Sequence, residues 1–232
     1  LKPGALITDV GSTKTDIHKE ILRQELTDCF VGGHPMAGSE KTGYENATDH
    51  LLENAYYIVT PPEGFNQNGC GYGNISPKYS ENVKRVIAVA QTVGAIPLVL
   101  DYKEHDTVVA AISHLPHLVA SSLVNLVKDS DSPAETMKQV AAGGFKDITR
   151  IASSSPEMWE QICMTNSEPI ADMLERYIDS LQDILSEIKG HQGNAIYKLF
   201  EKSRDYRNTI TDRAKGSVEP SYAFSVDMAD EV

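Results

Sequence analysis

The sequence has few of the features that place a protein in a class at first sight. Its 232 residues contain no apolar run close to the ~18 residues of a membrane-spanning helix, so we expect a soluble protein that binds no membrane. The three cysteines form no CxxC pair, which argues against a disulfide framework or a zinc site and favours a reducing cytoplasm. No charged segment followed by an apolar one stands at the start, so we expect no signal peptide.

Basic side chains are also scarce. Lysine and arginine together number 21 against 33 aspartates and glutamates, a formal charge of −12 at pH 7. This charge repels phosphates and no basic stripe interrupts it, so we expect no nucleic acid partner. An anionic ligand would need positive groups placed locally. Hydrophobic residues make up 41% of the chain, which is enough to form a core.

Residues 1–102 alternate short β-rich runs with helix-like patterns. The strand candidates are residues 5–10, 29–33, 56–60 and 96–100, and the helix candidates are residues 14–25, 49–53 and 81–93. Strands that alternate with helices indicate a mostly parallel α/β sheet. Such open sheets bind ligands at the carboxyl ends of their strands, so polar residues after each strand are the first candidates for a site.

Residues 103–232 lose the strand signals and keep a helical periodicity. The clearest helix covers residues 169–189, where apolar side chains recur at i, i+3, i+4 and i+7 before Gly190. A further helix is predicted at residues 195–210. The boundary falls near Asp101, so the predicted fold class is α/β plus all-α, with a sheet-containing part followed by a helical part.

Two polar segments follow predicted strands. In the segment from Asp9 to Lys14, Gly11 permits a tight turn, Ser12 offers a hydroxyl, and the helix near Lys14 offers free N–H groups. A plain strand–turn–helix connection explains these residues equally well. His34 directly follows another strand, where a neutral imidazole can act as a general base near pH 7. A single histidine in a turn is more often structural, so His34 needs converging partners.

A third polar cluster follows the last predicted strand. Its members are His105, Asp106, Ser113, His114 and His117. His114 and His117 are three residues apart and share one helical face, and Pro116 between them should break or kink the helix. A metal pair is the competing interpretation, but the sequence has no HExxH motif and no suitable further ligands.

A fourth cluster combines charge with an aromatic side chain. Asp147 and Arg150 are neighbours on a predicted helix, so the carboxylate would hold the guanidinium in place to bind a substrate carboxylate in a bidentate manner. Trp159 follows nine residues later. The alternative is an exposed ion pair of little energy.

Taken together, these segments resemble the prephenate/arogenate dehydrogenase family of tyrosine biosynthesis. The resemblance covers about residues 1–190 and rests on four ordered motifs, which are residues 9–14, 34–41, 113–117 and 143–150, the last followed by 156–159. It implies an NAD-dependent oxidoreductase, with NADP not excluded, that decarboxylates prephenate to 4-hydroxyphenylpyruvate. It also implies a partial Rossmann-like nucleotide-binding domain at residues 1–102 and a helical dimerisation and substrate-binding domain at residues 103–232.

The resemblance implies roles for individual residues. His34 would be the catalytic base on the ring hydroxyl, with activity falling as its imidazole protonates near pH 6.5. Ser12 would orient His34 and the substrate beside the nicotinamide, and Arg150, held by Asp147, would bind a substrate carboxylate. The residues implied for the cofactor are Asp9, Gly11 and Ser12. The further substrate contacts implied are Ser39, Glu40, Ser113, His114, His117 and Trp159, the last from the partner subunit of a homodimer.

One departure from the family pattern is large. The family opens with a strand and a Gly-rich turn for the pyrophosphate, and no such segment precedes Asp9. The resemblance therefore implies a fragment that binds dinucleotide poorly. Arogenate as the substrate, or a non-catalytic helical dimerisation module, are the open alternatives. A β-hydroxyacid-type dehydrogenase would use a lysine base, and the segment from Ser113 to His117 speaks against it.

Overall fold

The computed structural model describes residues 1–38, 43–62 and 77–210; Ser39, Glu40 and Cys70 lie outside these ranges. Cys29 and Cys163 are free thiols. One sheet has the strand order β1 (Gly32–Pro35), β2 (Tyr56–Thr60) and β3 (Ile96–Val99). The helices are α1 (Thr15–Arg23), α2 (Pro77–Thr92), α3 (Tyr102–Val109), α4 (Leu115–Ser130), α5 (Thr136–Val140), α6 (Gly143–Thr149), α7 (Pro156–Thr165), α8 (Ser167–Lys189) and α9 (Gly193–Thr209).

The sheet is mixed, which corrects the expectation of mostly parallel strands. β2 and β3 are parallel, whereas β1 is antiparallel to β2, with His34 opposite Ile58. Parallel strands need a crossover of a dozen or more residues, which is usually a helix. The described part of the β1–β2 connection holds only turns and a 3₁₀ turn at Tyr44–Asn46, and residues 49–53, predicted as helix, form turns. These described residues contain no crossover helix, and the chain returns in the opposite direction.

The first strand candidate, residues 5–10, is reduced to one parallel bridge between Ile7 and Phe30. Continuing this ladder would require the Gly33 N–H to donate to the Asp9 carbonyl. Instead, that N–H donates to the Asp9 carboxylate at 3.1 Å, which also accepts from the Gly11 N–H at 2.9 Å. The Asp9 side chain therefore ends the strand and begins the turn into α1.

The core lies between the sheet and α2. Its buried side chains are Val31, Tyr57, Val59, Tyr79, Val83, Val86, Ile87, Ala90, Ala95 and Val99, with Leu6 packed against them. α2 starts earlier than the predicted residue 81 and ends before Gly94, which has φ +77° and returns the chain to β3. This core holds the end of β1, and thus His34, in place.

The helical half begins at Asp101, whose carboxylate accepts from the N–H groups of Lys103 at 2.8 Å and Glu104 at 3.3 Å. α3 passes into a π-helical turn, Ala110–His114, before α4. Pro116 offers no N–H to the Ile112 carbonyl, so the expected irregularity takes the form of this wider turn. α8 starts two residues before the predicted Pro169 and ends before Gly190, as expected.

One helical stretch, Tyr102–Ser130, is long and apolar enough to cross a membrane by length and composition alone. It carries the buried polar side chains of His105, Asp106 and His114, all of which are hydrogen-bonded inside the molecule. Buried polar groups with partners are also usual in the core helices of folded domains. The expected lack of a membrane partner remains a prediction.

Candidate active site

A cavity of about 370 Å³ lies where the end of β1 meets the helical half. Its lining residues are Ser12, His34, Pro35, Met36, Ala37, Gly38, Ser113, His114, His117, Arg150, Ile151, Ser154, Met158, Trp159 and Ile162. Distant segments of the sequence therefore converge on one space, which satisfies the condition set for His34.

His34 begins a buried chain of hydrogen bonds. Its Nδ1 lies 2.7 Å from Nε2 of His105, and Nδ1 of His105 lies 2.8 Å from Oδ1 of Asp106. The side chains of His105 and Asp106 are 0% and 1% exposed. Because Nδ1 of His34 is engaged, Nε2 is the ring nitrogen that can meet a ligand in the cavity.

Asp106 is the last side chain in this series of hydrogen bonds, and it contacts the start of α1. Its Oδ1 accepts from the Lys14 N–H and its Oδ2 from the Thr15 N–H, both at 2.8 Å. Burial raises the pKa of Asp106, but hydrogen bonds from His105, Thr15 and Lys14 outweigh burial and hold the pKa below its usual value. The first N–H groups of α1 are thus capped internally, which corrects the expectation that they are free for a ligand.

The surroundings of His34 favour its neutral form. Its pKa is lowered to about 3, first by burial and then by His105, Lys14 and His114, against the opposing charge of Asp106. This corrects the expectation that the imidazole protonates near pH 6.5. At neutral pH the ring is therefore neutral and has one nitrogen free to accept a proton.

A second buried contact, from Asn166, determines which nitrogen of His114 carries the proton. The Asn166 amide nitrogen lies 2.9 Å from the Asp106 carbonyl oxygen and 3.0 Å from Nδ1 of His114. Because a carbonyl only accepts, the amide donates to both atoms, and His114 carries its proton on Nε2. Burial is the main cause that lowers the pKa of His114, to about 4. The ring is therefore a neutral hydrogen-bond donor.

His117 and Trp159 form one wall of the cavity. Their rings stack with centroids 3.8 Å apart and an interplanar angle of 26°. Nδ1 of His117 donates to the Ser113 carbonyl at 2.9 Å, which fixes the ring. Burial lowers the pKa of His117, against a smaller opposing effect of that hydrogen bond. A flat apolar wall with a fixed imidazole suits a ring-shaped ligand.

Arg150 supplies the local positive charge. Of the described residues that line the cavity, it alone carries a permanent positive charge, in a molecule with a net charge of −12. It begins a 3₁₀ turn, Arg150–Ser153, directly after α6. The cavity thus combines a neutral base, hydroxyl and imidazole groups and one guanidinium, a set that fits a carboxylate-bearing ring with an alcohol group.

Comparisons with known proteins decide the family. The family described as "Prephenate dehydrogenase, nucleotide-binding domain" matches residues 1–69, and "Prephenate dehydrogenase, dimerization domain" matches residues 101–202. The crystal structure of prephenate dehydrogenase from A. aeolicus, in complex with hydroxyphenyl propionate and NAD⁺, is similar with a TM-score of 0.75 and 33% identity, over 89% of this chain and 68% of that one. The chain belongs to the prephenate dehydrogenase family.

Two further relatives are similar over most of this chain. Prephenate dehydrogenase of Bacillus subtilis (strain 168) is 37% identical over 228 residues, 97% of this chain and 57% of the relative. Synechocystis arogenate dehydrogenase has a TM-score of 0.74 at 26% identity, over 91% of this chain and 71% of that one. The chain therefore spans about 57% of the length of the Bacillus relative.

The residues expected to bind the cofactor in a prephenate dehydrogenase divide into two groups. Ser12 lines the cavity beside His34. Asp9, in contrast, accepts from the Gly11 and Gly33 N–H groups and pairs with the buried ammonium of Lys14. The carboxylate of Asp9 is therefore used inside the molecule, and a Cβ at Gly11 would lie 3.1 Å from it. Asp9 and Gly11 shape the turn, and their expected contact with the cofactor stays a prediction.

The expected substrate-binding residues are only partly brought together. Ser113, His114, His117, Arg150 and Trp159 of this chain line the cavity, and the expected contribution of Trp159 from a partner subunit stays a prediction. Asp147 does not line it, and among the ion pairs of residues 1–38, 43–62 and 77–210 none joins Asp147 to Arg150. Asp147 is exposed on α6, three residues before the chain turns into the 3₁₀ segment. Ser39 and Glu40 lie outside the described residues.

Sequence reasoning gave no role to Asn166 or to the His105–Asp106 pair. His105 and Asp106 are adjacent in the sequence. Nothing in the sequence, however, indicates that Asp106 accepts hydrogen bonds from backbone N–H groups 91 and 92 residues away. For the described part of the chain, no group of three or more His, Cys, Asp or Glu side chains could hold a metal ion.

Proposed function

We propose that this chain forms the proton-accepting and substrate-binding site of an NAD-dependent prephenate dehydrogenase, an enzyme of the cytoplasm. The observation that carries the proposal is the His34 imidazole, held in the cavity by His105 with Asp106 behind it. The 37% identity to a prephenate dehydrogenase supports it.

The proton transfer follows from the position of His34. Prephenate carries an alcohol on its ring, and Nε2 of His34 accepts the hydroxyl proton as hydride leaves the same carbon for the acceptor that NAD⁺ would supply. The carbon–carbon bond to the ring carboxylate then breaks and CO₂ leaves. The electron pair of that bond passes through the ring to the oxygen, which recovers the proton from His34. The product is 4-hydroxyphenylpyruvate, and aromatisation drives the reaction.

The described residues fit only one end of the cofactor. NAD⁺, when bound, supplies the hydride acceptor. Ser12 lies beside His34 in the cavity and would contact the nicotinamide. The pyrophosphate has no counterpart in the described residues, because the carboxylate of Asp9 and the first N–H groups of α1 are used internally.

Substrate binding relies on charge and shape. Prephenate has two carboxylates, and the Arg150 guanidinium can bind one of them through two parallel hydrogen bonds. His114 offers an N–H donor beside it, and the stacked rings of His117 and Trp159 offer a flat surface. These groups provide the attraction that the net charge of the molecule opposes.

Arogenate is the second candidate substrate. Synechocystis arogenate dehydrogenase is similar over 91% of this chain, so a similar fold occurs in a protein named as an arogenate dehydrogenase. Arogenate differs from prephenate in carrying an amino group in place of the side-chain keto oxygen. Parallel assays with both substrates decide between them.

We also propose a homodimer formed through the helical half. The match to the dimerization domain at residues 101–202 supports it. So do the exposed apolar side chains of α8, among them Leu181, Leu185 and Ile188 at 44%, 50% and 57% exposure.

Two substitutions test the catalytic proposal in the enzyme that contains these residues. His34→Asn removes the base but keeps a polar side chain, so we expect the rate of prephenate-dependent NADH formation to fall about 10²- to 10⁴-fold. Arg150→Gln removes a charge-assisted contact, so we expect the KM for prephenate to rise about 10- to 100-fold. Arg176→Gln, on the exposed face of α8, is the matched control and should leave both constants unchanged. Unchanged turnover in His34→Asn would refute the assignment.

A further inference from the structure

We propose that His105 and Asp106 are positioning residues that fix which nitrogen of His34 carries the proton, so that Nε2 faces the cavity as a hydrogen-bond acceptor. The use of that acceptor in catalysis rests on the proposed function above. For a neutral His105, the tautomer follows from the hydrogen-bond chain.

The direction of the chain is set at Asp106. Both of its carboxylate oxygens accept from backbone N–H groups, of Lys14 and Thr15, which cannot act in any other way. The carboxylate is ionised and also faces Nδ1 of His105 at 2.8 Å. A lone pair on that nitrogen would face the lone pairs of a carboxylate, so Nδ1 of His105 carries the proton.

The proton on His105 determines in turn where His34 carries its proton. With its proton on Nδ1, a neutral His105 has its lone pair on Nε2, which lies 2.7 Å from Nδ1 of His34. That contact is a hydrogen bond only if Nδ1 of His34 donates. His34 then keeps its lone pair on Nε2, the atom that must receive the substrate proton. If these hydrogen bonds ran in the opposite direction, Nε2 of His34 would carry a proton and could not accept one from the substrate.

Asp106 also makes this arrangement depend on the contact between the two halves of the chain. The Lys14 and Thr15 N–H groups belong to the sheet half, whereas Asp106 and His105 lie on α3. The Asn166 amide secures the Asp106 carbonyl from the α7–α8 junction. The proton on His34 is thus positioned by three elements that are far apart in sequence.

Nitrogen-15 NMR of the histidine-labelled full chain tests the proposal, because long-range proton–nitrogen correlations distinguish the two tautomers. At pH 7 we expect His34 to appear as a single neutral form protonated on Nδ1. His105→Phe keeps a ring but removes both nitrogens, so His34 should become a mixture of tautomers. His105→Gln, whose amide can donate to Asp106 and accept from His34, should restore the Nδ1-protonated form. His105→Met replaces the Phe variant if that variant does not fold.

His18→Phe is the matched control. His18 is also a buried histidine, 4% exposed, but it bonds to Thr60 and stacks on Tyr102 rather than reaching His34. It should leave the His34 tautomer unchanged. A His34 protonated on Nε2 in the wild-type chain, or a positively charged His105, overturns the proposal. So does an unchanged tautomer in the variants that lack nitrogen at position 105.

The outcome is separable from that of the proposed function. The spectra need neither NAD⁺ nor prephenate, so a wrong tautomer contradicts the positioning role even if His34→Asn abolishes turnover. In the enzyme, His105→Phe should lower kcat on the order of 10²-fold or more with little change in the KM for prephenate. His105→Gln should recover most of that loss.

Discussion

Buried histidines make the molecule sensitive to mild acid. Burial is the first cause that lowers the pKa values of His18 and His114, both to about 4, whereas in an unfolded chain they are near 6.5. Between these values the unfolded chain binds more protons than the folded one, so stability falls as the pH falls from 6.5 to about 4. Asp106, with its lowered pKa, acts in a separate window, because its contribution is lost only at lower pH.

We therefore expect urea unfolding to show a lower free energy at pH 5 than at pH 7. Each of the two histidines contributes at most about 1.4 kcal/mol per pH unit in this range. His18→Phe keeps a ring against Tyr102 and Phe30 but cannot titrate, so its pH dependence should be shallower. Equal stability at pH 5 and pH 7 in the wild-type chain would contradict this account.

At the level of residues, sequence reasoning identified the side chains that line the cavity better than those that hold them. His34, His114 and Arg150 are chemically distinctive and stand beside turns, so their types and places indicated a site. The partners of Asp9, which are backbone N–H groups and a lysine buried by the fold, could not be read from the sequence. The contacts that decide between binding a ligand and supporting a turn form only when distant segments pack together.

Among the elements, α3 has the most direct influence on the site, because it carries His105 and Asp106. Its N-terminus is capped by the Asp101 carboxylate, which accepts from Lys103 and Glu104. Replacing an N-cap aspartate by alanine typically costs about 1 kcal/mol. The start of α3 is therefore a local support for the whole hydrogen-bond chain.

Asp101→Ala should lower the melting temperature by about 2–4 °C, as expected for a loss of this size in a chain of this length. Asp101→Asn retains a side-chain oxygen acceptor and should stay close to the wild type. Differential scanning calorimetry of the three proteins makes the comparison. Equal melting temperatures for the alanine and asparagine variants would show that the cap does not stabilise α3.

The long helices were easier to predict than the short strands. The period of α8 spans 23 residues, and a pattern of that length is hard to produce by chance. The strands are four or five residues long, and whether a run of that size pairs depends on its neighbours. Residues 5–10 had the composition of a strand, but a single carboxylate at Asp9 ended their pairing.

At the scale of the whole molecule, the described helical residues leave large apolar side chains exposed. Leu181, Leu185 and Ile188 fall on one side of α8, and Phe200 on α9 is 68% exposed. Side chains of this kind in a regular row are typical of a protein interface rather than of isolated surface residues. This surface supports the proposed homodimer.

The double substitution Leu181→Glu and Leu185→Glu should convert the proposed dimer to a monomer, because it places two charges in the apolar row. Sedimentation velocity over a range of concentrations gives the mass. The control is Gln182→Glu with Ser186→Glu, which adds the same charges about 100° around the helix on exposed positions. A mass that stays dimeric in the leucine variant, or is monomeric in the wild type, would contradict the proposed interface.

The internal cap of α1 has a consequence for how sequences of this kind can be recombined. Asp106 accepts from the backbone N–H groups of Lys14 and Thr15, which every amino acid except proline provides. A chimera that joins the sheet half of one relative to the helical half of another would therefore retain these two backbone hydrogen bonds without matching side chains at those two positions. A proline at position 14 or 15 is the change that would remove one of them.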